Sequence, residues 1–430
     1  LQKKWMIAGA VVLVAAGAMP WVVGYATEQQ WQLVTQEVNQ RQPLFQLATD
    51  EYQRGYLNSR FHGLITITNP DTGESEVVGY RGNVTHGVTG SLVDLEPADG
   101  WQPEGAAWFS DARHPSLTVE TRLWGTATIR LEVPEMDVAS PDTEETLKTS
   151  GGHVTVELSD AGNHAEAQVD WPSLVATGPK GVLKVSGIHL EQRMDHLVGD
   201  IWTGSGDMGM EALSLTLPSG GELAVKELNM EAATTANDDG SRINSRLDLG
   251  IDSVGVLGES YGPHKLVVSL DNLEADSWNA FGKTMSGLQN LAGDQYASPQ
   301  AQFEQQMMVM QQISTAMRNL AASGFSIGIS TLEVATPEGE ISGHMEIRHP
   351  ELSEQEKANM LMVMHQLTGE LNLSMPMALA EDYPDIRMQV APLIKQGVLV
   401  QEGDRLAVKA TMKDLMVNVN GQEFPLPPLF

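Results

Sequence analysis

Leu64-Ile65-Thr66-Ile67-Thr68, followed by Asn69-Pro70-Asp71-Thr72-Gly73-Glu74, decides the fold class of this chain. β-Branched residues alternate with apolar ones, and a cluster of turn formers then stops the run. That is the pattern of a strand entering a hairpin. The same arrangement returns at Leu213-Ser214-Leu215-Thr216-Leu217, then Pro218, Gly221-Glu222 and Leu223-Ala224-Val225. It returns again at Leu332-Glu333-Val334, then Pro337, Gly339-Glu340 and Ile341. Each copy reads as strand, Pro/Gly turn, strand. The spacing between copies is irregular, which predicts a meander of antiparallel hairpins rather than a solenoid.

Helical text interrupts this pattern. Ser298-Pro299 has the form of an N-cap and first turn, and Phe303, Met307, Met310, Ile313, Met317 and Leu320 follow at helical spacing. Ser353 with Glu356 forms a capping box ahead of Met360, Leu361, Met364 and Leu367, predicting a second helix. Strands then close the chain, with turns at Gly403-Asp404 and Asn420-Gly421. Residues 134–152 are acidic and rich in turn formers, so an exposed loop or linker is expected there, and Asn237-Asp238-Asp239-Gly240 reads as a tight turn.

The start of the chain is of another kind. Residues 5–25, WMIAGAVVLVAAGAMPWVVGY, carry no charge. At about 1.5 Å per residue such a helix spans roughly 30 Å, the thickness of a bilayer's hydrocarbon core. Trp5 marks one end, and Trp21 and Tyr25 mark the other, where amphipathic rings favour the headgroup region. Lys3 and Lys4 precede the run, whereas the first cation after it is Arg41, so the positive-inside rule places the N-terminus in the cytoplasm. A cleaved signal peptide is the main rival, since Ala16-Gly17-Ala18 fits a small-x-small site, but the apolar run continues past it through Trp21-Val22-Val23. A buried core helix is the weaker rival. Thr27 and Gln30 have capping-box spacing and predict a polar helix from about Glu28 to Arg41, closed by Pro43, that continues the anchor or lies at the membrane surface.

The expected architecture is therefore α+β and β-rich: antiparallel meander and hairpin sheets, a helical insert and one N-terminal transmembrane helix. Its divisions are an anchor at 1–26, a juxtamembrane helix at 27–43, a β-rich domain at 44–276, a helical region with an embedded hairpin at 277–397, and closing strands at 398–430.

Composition excludes several functions. The chain has 430 residues, 26 of them Lys or Arg against 56 Asp or Glu, for a formal charge of -30. That balance repels phosphate backbones and argues against nucleic-acid binding. With no cysteine, disulfides, thiolate metal sites and cysteine nucleophiles are ruled out. Gly204-Ser205-Gly206-Asp207-Met208-Gly209 spells the dinucleotide fingerprint, yet the residues after it alternate like a strand, and the fingerprint needs a helix there. The 21 methionines include the pairs Met208/Met210, Met308/Met310, Met360/Met362/Met364 and Met375/Met377. Thioethers bind Cu(I), but i and i+2 diverge on a helix, so core filling or an adaptable apolar surface is the better account. The eleven histidines are scattered without a His-Glu-x-x-His. The Asp142-Glu144-Glu145 run reads as a solvated loop. No catalytic residue, cofactor or metal ligand is assigned.

The order of these pieces resembles the YdgA-like family of bacterial envelope proteins. The resemblance rests on the N-terminal apolar segment, Arg54-Gly55-Tyr56 with Ser59, His86-Gly87, Asp271-Asn272-Leu273-Glu274-Ala275, and Val417-Asn418-Val419-Asn420-Gly421. Val88 stands where the family often has Pro. The resemblance implies a protein anchored in the inner membrane with its bulk in the periplasm, and it supplies no active site. The function expected is non-enzymatic: binding of another envelope protein or self-association. The alternative is handling of a lipid or other hydrophobic ligand, in a groove on an apolar sheet face lined or covered by the Met-rich helices. A carboxylate-based hydrolase is third.

Overall fold

A computed structural model describes residues 2–41, 44–68, 73, 75–101, 109, 114–139, 145–256, 258–291, 299–357 and 359–426. Positions 2–18, 37, 40, 41, 286–291, 299–307, 309, 354, 360 and 361 are described as backbone only. The chain divides into two compact units: 1–193 with 213–220, and 194–212 with 221–430.

The first unit opens with helix α1 (Gln2–Arg41). Strands β1 (Phe45–Arg54), β2 (Asn58–Thr68), β3 (Ser75–His86), β4 (Gly90–Pro97), β5 (Ser116–Arg122) and β6 (Ala127–Val133) follow. Then come β7 (Met136–Ala139), β8 (Thr146–Thr149), β9 (Gly152–Ser159) and β10 (His164–Gly178). Strands β1 to β6 pair successively and antiparallel, β6 continues to β9, and β9 to β10. The hairpin β7–β8 adds to the later half of β10. Two of those short strands lie inside residues 134–152, which the sequence presents as a loop. Their four-residue alternations gain ladder partners only in the folded sheet. Asp142 and Glu144 lie outside the described residues, as does most of the first predicted turn, though β2 and β3 pair as expected from Thr68 opposite Ser75.

Strands β11 (Gly181–Val198) and β12 (Ile201–Thr216) run through the division between units, and β13 (Glu222–Ala236) begins the main run of the second. There follow β14 (Arg242–Val256), β15 (Glu259–Tyr261), β16 (His264–Glu274), α2 (Ala275–Leu291) and α3 (Pro299–Ala322). Next are β17 (Phe325–Thr336), β18 (Gly339–His349), α4 (Glu354–Lys357), α5 (Met360–His365) and β19 (Thr368–Pro376). The chain continues with α6 (Ala378–Asp382), α7 (Pro384–Lys395), β20 (Val400–Glu402), β21 (Arg405–Lys413), β22 (Met416–Val419) and β23 (Gln422–Pro425). The sheet order is β13-β14-β16-β17-β18-β19-β21, all antiparallel, with β20 and β22 on the outer side of β21. The Pro337-Glu338 and Gly403-Asp404 turns join paired strands, as their letters predict. At Asn237-Asp238-Asp239-Gly240 the side chains build the turn: Asn237 Oδ1 accepts from the Arg242 amide at 2.9 Å, and Asp239 Oδ1 from the Ser241 amide at 2.9 Å.

Directly opposed residues share a sheet face, so the register shows where apolar surface accumulates. In the first unit Val84, Val93, Val119, Ile129 and Val156 form one row. Val84 and Val93 are buried, together with Phe61, Tyr80 and Leu95, and Trp31 of α1 packs over them. Phe61 lies across its partner Gly82, where a Cβ would come within 2.3 Å of the ring. In the second unit Leu247, Val268, Ile329, Met345, Leu371 and Ala410 form a comparable row.

Helix α1 takes the continuous course of the two expected, but without the cap read at Thr27. It is unbroken from Gln2 to Arg41, with Pro20 inside it, and Thr27 is an interior residue rather than a cap. The Thr27 hydroxyl donates back to the Val23 carbonyl at 2.9 Å and meets Ser91 Oγ at 2.7 Å. The capping-box letters were outweighed by packing: Pro20, Val23, Gly24 and Thr27 are all buried in this unit. Those residues belong to the end of the run read as an anchor. Trp21 and Tyr25 face away, exposed, with rings stacked at 6.4 Å and the Arg54 guanidinium over both. Lys3, Lys4 and Trp5 have no described side chains. Among the described residues no helix is long and apolar enough to cross a membrane, so the structure lends the transmembrane reading no support.

The second capping box holds: the Ser353 amide and hydroxyl donate to Glu356 Oε2 at 2.9 and 2.6 Å. These bonds keep the Glu356 carboxyl below the usual carboxylate range. The helix it opens is shorter than expected, because α4 and α5 are separate pieces. Ser298 lies outside the described residues.

Two outcomes follow, one in each unit. Phe61→Ala should cost about 3–5 kcal/mol in chemical denaturation, whereas the exposed Phe424→Ala should cost little. Equal losses would contradict the packing described for Phe61.

Candidate functional site

Two places gather side chains with chemical potential. One is the seam between α1 and the first sheet. His86 is buried, with Nε2 at 2.7 Å from Ser59 Oγ and Nδ1 at 3.1 Å from Ser91 Oγ. Ser91 passes the chain on to Thr27 and thence to the Val23 carbonyl. Gly24 of α1 lies against the imidazole, where a Cβ would stand 2.9 Å from Nε2. The Ser59–His86 pair has the letters of a nucleophile and its base, but the imidazole's other nitrogen meets a hydroxyl rather than a carboxylate. Ser59 is 1% exposed, which leaves a substrate no approach. The cluster instead satisfies polar groups at a helix–sheet contact. Burial, and secondarily Arg54, hold the His86 ring below its ordinary pKa, so it is neutral at neutral pH.

The sign of the pH effect follows. With a folded pKa below the unfolded one, the neutral ring's contribution is full above the unfolded value of about 6.5 and is lost as pH falls. Protection factors for amide exchange along residues 23–31, which allow for the slower intrinsic exchange at low pH, should therefore fall on going from pH 7.5 to 5. His86→Asn should blunt that response, and an unchanged response in the variant would contradict it. The neighbouring Glu28–Arg54 ion pair, at 2.8 Å, should be checked with Glu28→Gln in parallel.

The other place is a cavity of about 280 Å³ in the second unit. Its floor is a row set by register: Ile327 opposite Ile347, Ile347 opposite Gly369, and Gly369 opposite Met412. Gly369 carries no side chain, and the Met412 methyl lies over it, 3.1 Å from where a Cβ would stand. Phe281 of α2, Met317 and Leu320 of α3, and Val363 and Met364 of α5 form the remaining wall. Ile327 is 36% exposed, so the floor is not sealed. The C-terminal turns of α3 supply that wall, and the helix is held at the same end. There Arg242 Nη1 donates to the Ser323 carbonyl at 2.6 Å and the Asn272 carbonyl at 3.1 Å, while Nη2 reaches Glu351 at 3.0 Å. A cation at the carbonyl end of a helix is favourably placed against the helix dipole. The Asp271-Asn272-Leu273-Glu274-Ala275 stretch makes the strand-to-helix corner: Asn272 takes a φ of +61°, and the Ala275 amide donates to the Ser241 carbonyl at 2.9 Å.

Two polar groups interrupt the apolar wall. His349 has Nδ1 at 2.7 Å from the Pro350 carbonyl and Nε2 at 2.7 Å from the Val363 carbonyl, tying α5 to β18. Arg318 lines the cavity, and its Nε is buried without a hydrogen-bond partner among the described residues. An unpaired buried donor costs about 1–3 kcal/mol.

The sequence motifs distribute as follows. The Gly204 to Gly209 fingerprint lies wholly within strand β12, so the helix that would receive a pyrophosphate does not follow it. Gly324-Phe325-Ser326-Ile327-Gly328 spells the letters of a nucleophile elbow, Gly-x-Ser-x-Gly. A nucleophile elbow turns from strand to helix, whereas this segment enters strand β17, and Ser326 donates to Glu346 Oε1 at 2.7 Å. Met375 and Met377 pack on a core of Ala380, Val390, Leu399 and Leu406, and Met308 and Met310 are exposed on α3. The methionines at the cavity are Met317, Met364 and Met412. Among the described residues, no three His, Asp or Glu side chains gather as a metal site.

No curated protein and no solved structure matches this sequence. Over residues 2–427 it matches the family described as bacterial protein of unknown function (DUF945), and the chain belongs to that family.

Proposed function

We propose that this is a membrane-tethered envelope protein that binds a single-chain hydrophobic ligand without performing chemistry on it. The cavity under α2, α3 and α5 is the observation that carries the reading. Its volume of about 280 Å³ lies just below the usual range of small-molecule sites, roughly 300 to 1,000 Å³. That size suits one acyl chain better than a two-chain lipid. The wall is apolar and includes three methionines, whose flexible thioethers accommodate chains of differing shape. The buried Arg318 Nε offers a donor for an anionic head, and a carboxylate is the simplest group to satisfy it. The row from Leu247 to Ala410 continues the same sheet face beside the cavity, giving an acyl chain a half-covered apolar track.

The tether in this proposal is the uncharged run at residues 5–25, flanked by Lys3 and Lys4 on the cytoplasmic side, with the two units in the periplasm. The resemblance to YdgA-like envelope proteins is consistent with that address. Of the expected functions, hydrophobic-ligand handling is thus preferred over protein binding or self-association, because the cavity has the dimensions of a ligand.

Titration with a fluorescent long-chain fatty acid tests the reading. Saturable binding at one site per chain is expected. Ile347→Trp, which fills the floor, should weaken it at least tenfold. Arg318→Gln should weaken a carboxylate ligand by roughly 10- to 150-fold, the loss of about 1.5–3 kcal/mol for a charge-assisted bond, while leaving binding of the matching alcohol little changed. Absence of saturable binding, or binding indifferent to both substitutions, would overturn the proposal.

A further inference from the structure

The first unit carries an apolar patch that its own core does not use. Because β1 to β6 form an up-and-down meander, the β1/β2, β3/β4 and β5/β6 turns lie at one end of the sheet. They are contiguous there: the His86 amide donates to the Leu57 carbonyl at 2.8 Å, and the Leu123 amide to the Thr89 carbonyl at 2.8 Å. Their tips present Tyr56 and Leu57, Val88, and Leu123 and Trp124, each at least 47% exposed. Single exposed apolar residues are ordinary, but large ones at three adjacent tips are a patch that calls for a partner.

The course of α1 identifies the partner. Along the seam Asn39 bonds Leu47, Trp31 bonds Thr49, Glu28 pairs with Arg54, and Arg54 covers Tyr25 and Trp21. As the helix numbers fall, the β1 numbers rise toward the β1/β2 turn. The helix therefore runs antiparallel to β1, toward the hairpin tips, and the residues before Pro20 include 5–19 of the uncharged run proposed as the tether. Trp21 and Tyr25 sit level with the tips, and Arg122 lies 6.0 Å over the Trp124 ring, as Arg54 lies over theirs. Aromatic rings beside arginines suit the headgroup region, where an apolar body and a polar edge are both satisfied.

We infer that the three hairpin tips, with Trp21 and Tyr25, seat this end of the first unit in the interfacial layer of the bilayer that holds the N-terminal helix. This rests on the tether reading and adds to it a docked, rather than freely swinging, first unit. Attraction to anionic lipid is not the cause. Arg54 and Arg122 are already paired with Glu28 and Glu120, and the chain as a whole carries a formal charge of -30. The seating is by apolar insertion and so is expected on zwitterionic lipid.

The chain has no cysteine, so single reporters are straightforward. Val88→Cys and Trp124→Cys place a label at two tips; Asp99→Cys places one beyond β4, at the opposite end of the sheet, where the side chain is 93% exposed. Each full-length variant, carrying an environment-sensitive fluorophore, is reconstituted into phosphatidylcholine vesicles with nitroxide lipid. Both tip labels should shift to the blue and lose most of their emission to the nitroxide, and the Asp99→Cys label should do neither. If the protein floats with the vesicles but the tip labels stay water-like, the seating is wrong and the tether stands. If the protein does not float with the vesicles, both fall. The two tip positions lie on different hairpins, so misfolding of one variant leaves the other to decide.

Discussion

An antiparallel sheet satisfies its own backbone but not its apolar face, and this chain has far more sheet than helix with which to cover one. In the first unit a single helix covers β1 to β4, and burial is deepest there, at Phe61, Tyr80, Val84 and Val93. Beyond β4 the same row continues through Val119, Ile129 and Val156, which remain only half-buried. In the second unit α2, α3 and α5 meet one end of the apolar face, and α6 and α7 close another core around Leu406 and Val390. Between a full cover and bare sheet lies a cavity floored by Ile327, Ile347 and Met412 and walled by Phe281, Met317 and Met364. Incomplete cover is thus a property of the whole architecture, and the cavity is where it becomes chemically specific.

Holding α1 in place requires more than apolar contact, since the seam also buries hydroxyls and an imidazole. The chain of bonds from Val23 through Thr27, Ser91 and His86 to Ser59 satisfies those groups while fixing the helix to within a side chain's reach. Gly24 permits the approach, because any Cβ would meet the imidazole. A half-satisfied network of this kind would be costlier than an apolar seam, so each member constrains the others. The same economy appears at Asn420: its amide nitrogen donates to the Val398 carbonyl at 2.8 Å, and its Oδ1 accepts from the Lys409 amide at 2.9 Å, joining the closing strands.

Much of the fold was legible because its signals are local. The Pro337 turn, the Asn237 to Gly240 turn, Gly403-Asp404, Asn420-Gly421 and the Ser353–Glu356 box each specify geometry within a few residues, and each forms as written. Thr27 with Gln30 has the same letters as the second box yet forms no cap, since contacts to Ser91 and to the sheet outweigh it. The strands within residues 134–152 were missed because short alternations show only when partners from β10 and from each other supply the ladder. The site was less legible. Ser59 and His86 could be named from the family resemblance, but their meeting depends on the register of β2 with β3. The cavity floor assembles from β17, β18, β19 and β21, and no linear pattern predicts that Ile327, Ile347, Gly369 and Met412 will lie in one row. Met317 and Met364 fell within helices read as Met-rich, which was the one sequence signal pointing to that wall.

The account turns on whether the cavity holds an acyl chain in the protein as it is made. Intact-mass measurement under non-denaturing conditions, on full-length chain purified without added lipid, addresses this directly. The account predicts a population heavier by one single-chain amphiphile, with the carboxylate recovered on extraction. Protein that is repeatedly recovered at its bare mass, from preparations in which membrane lipid was abundant, would contradict it.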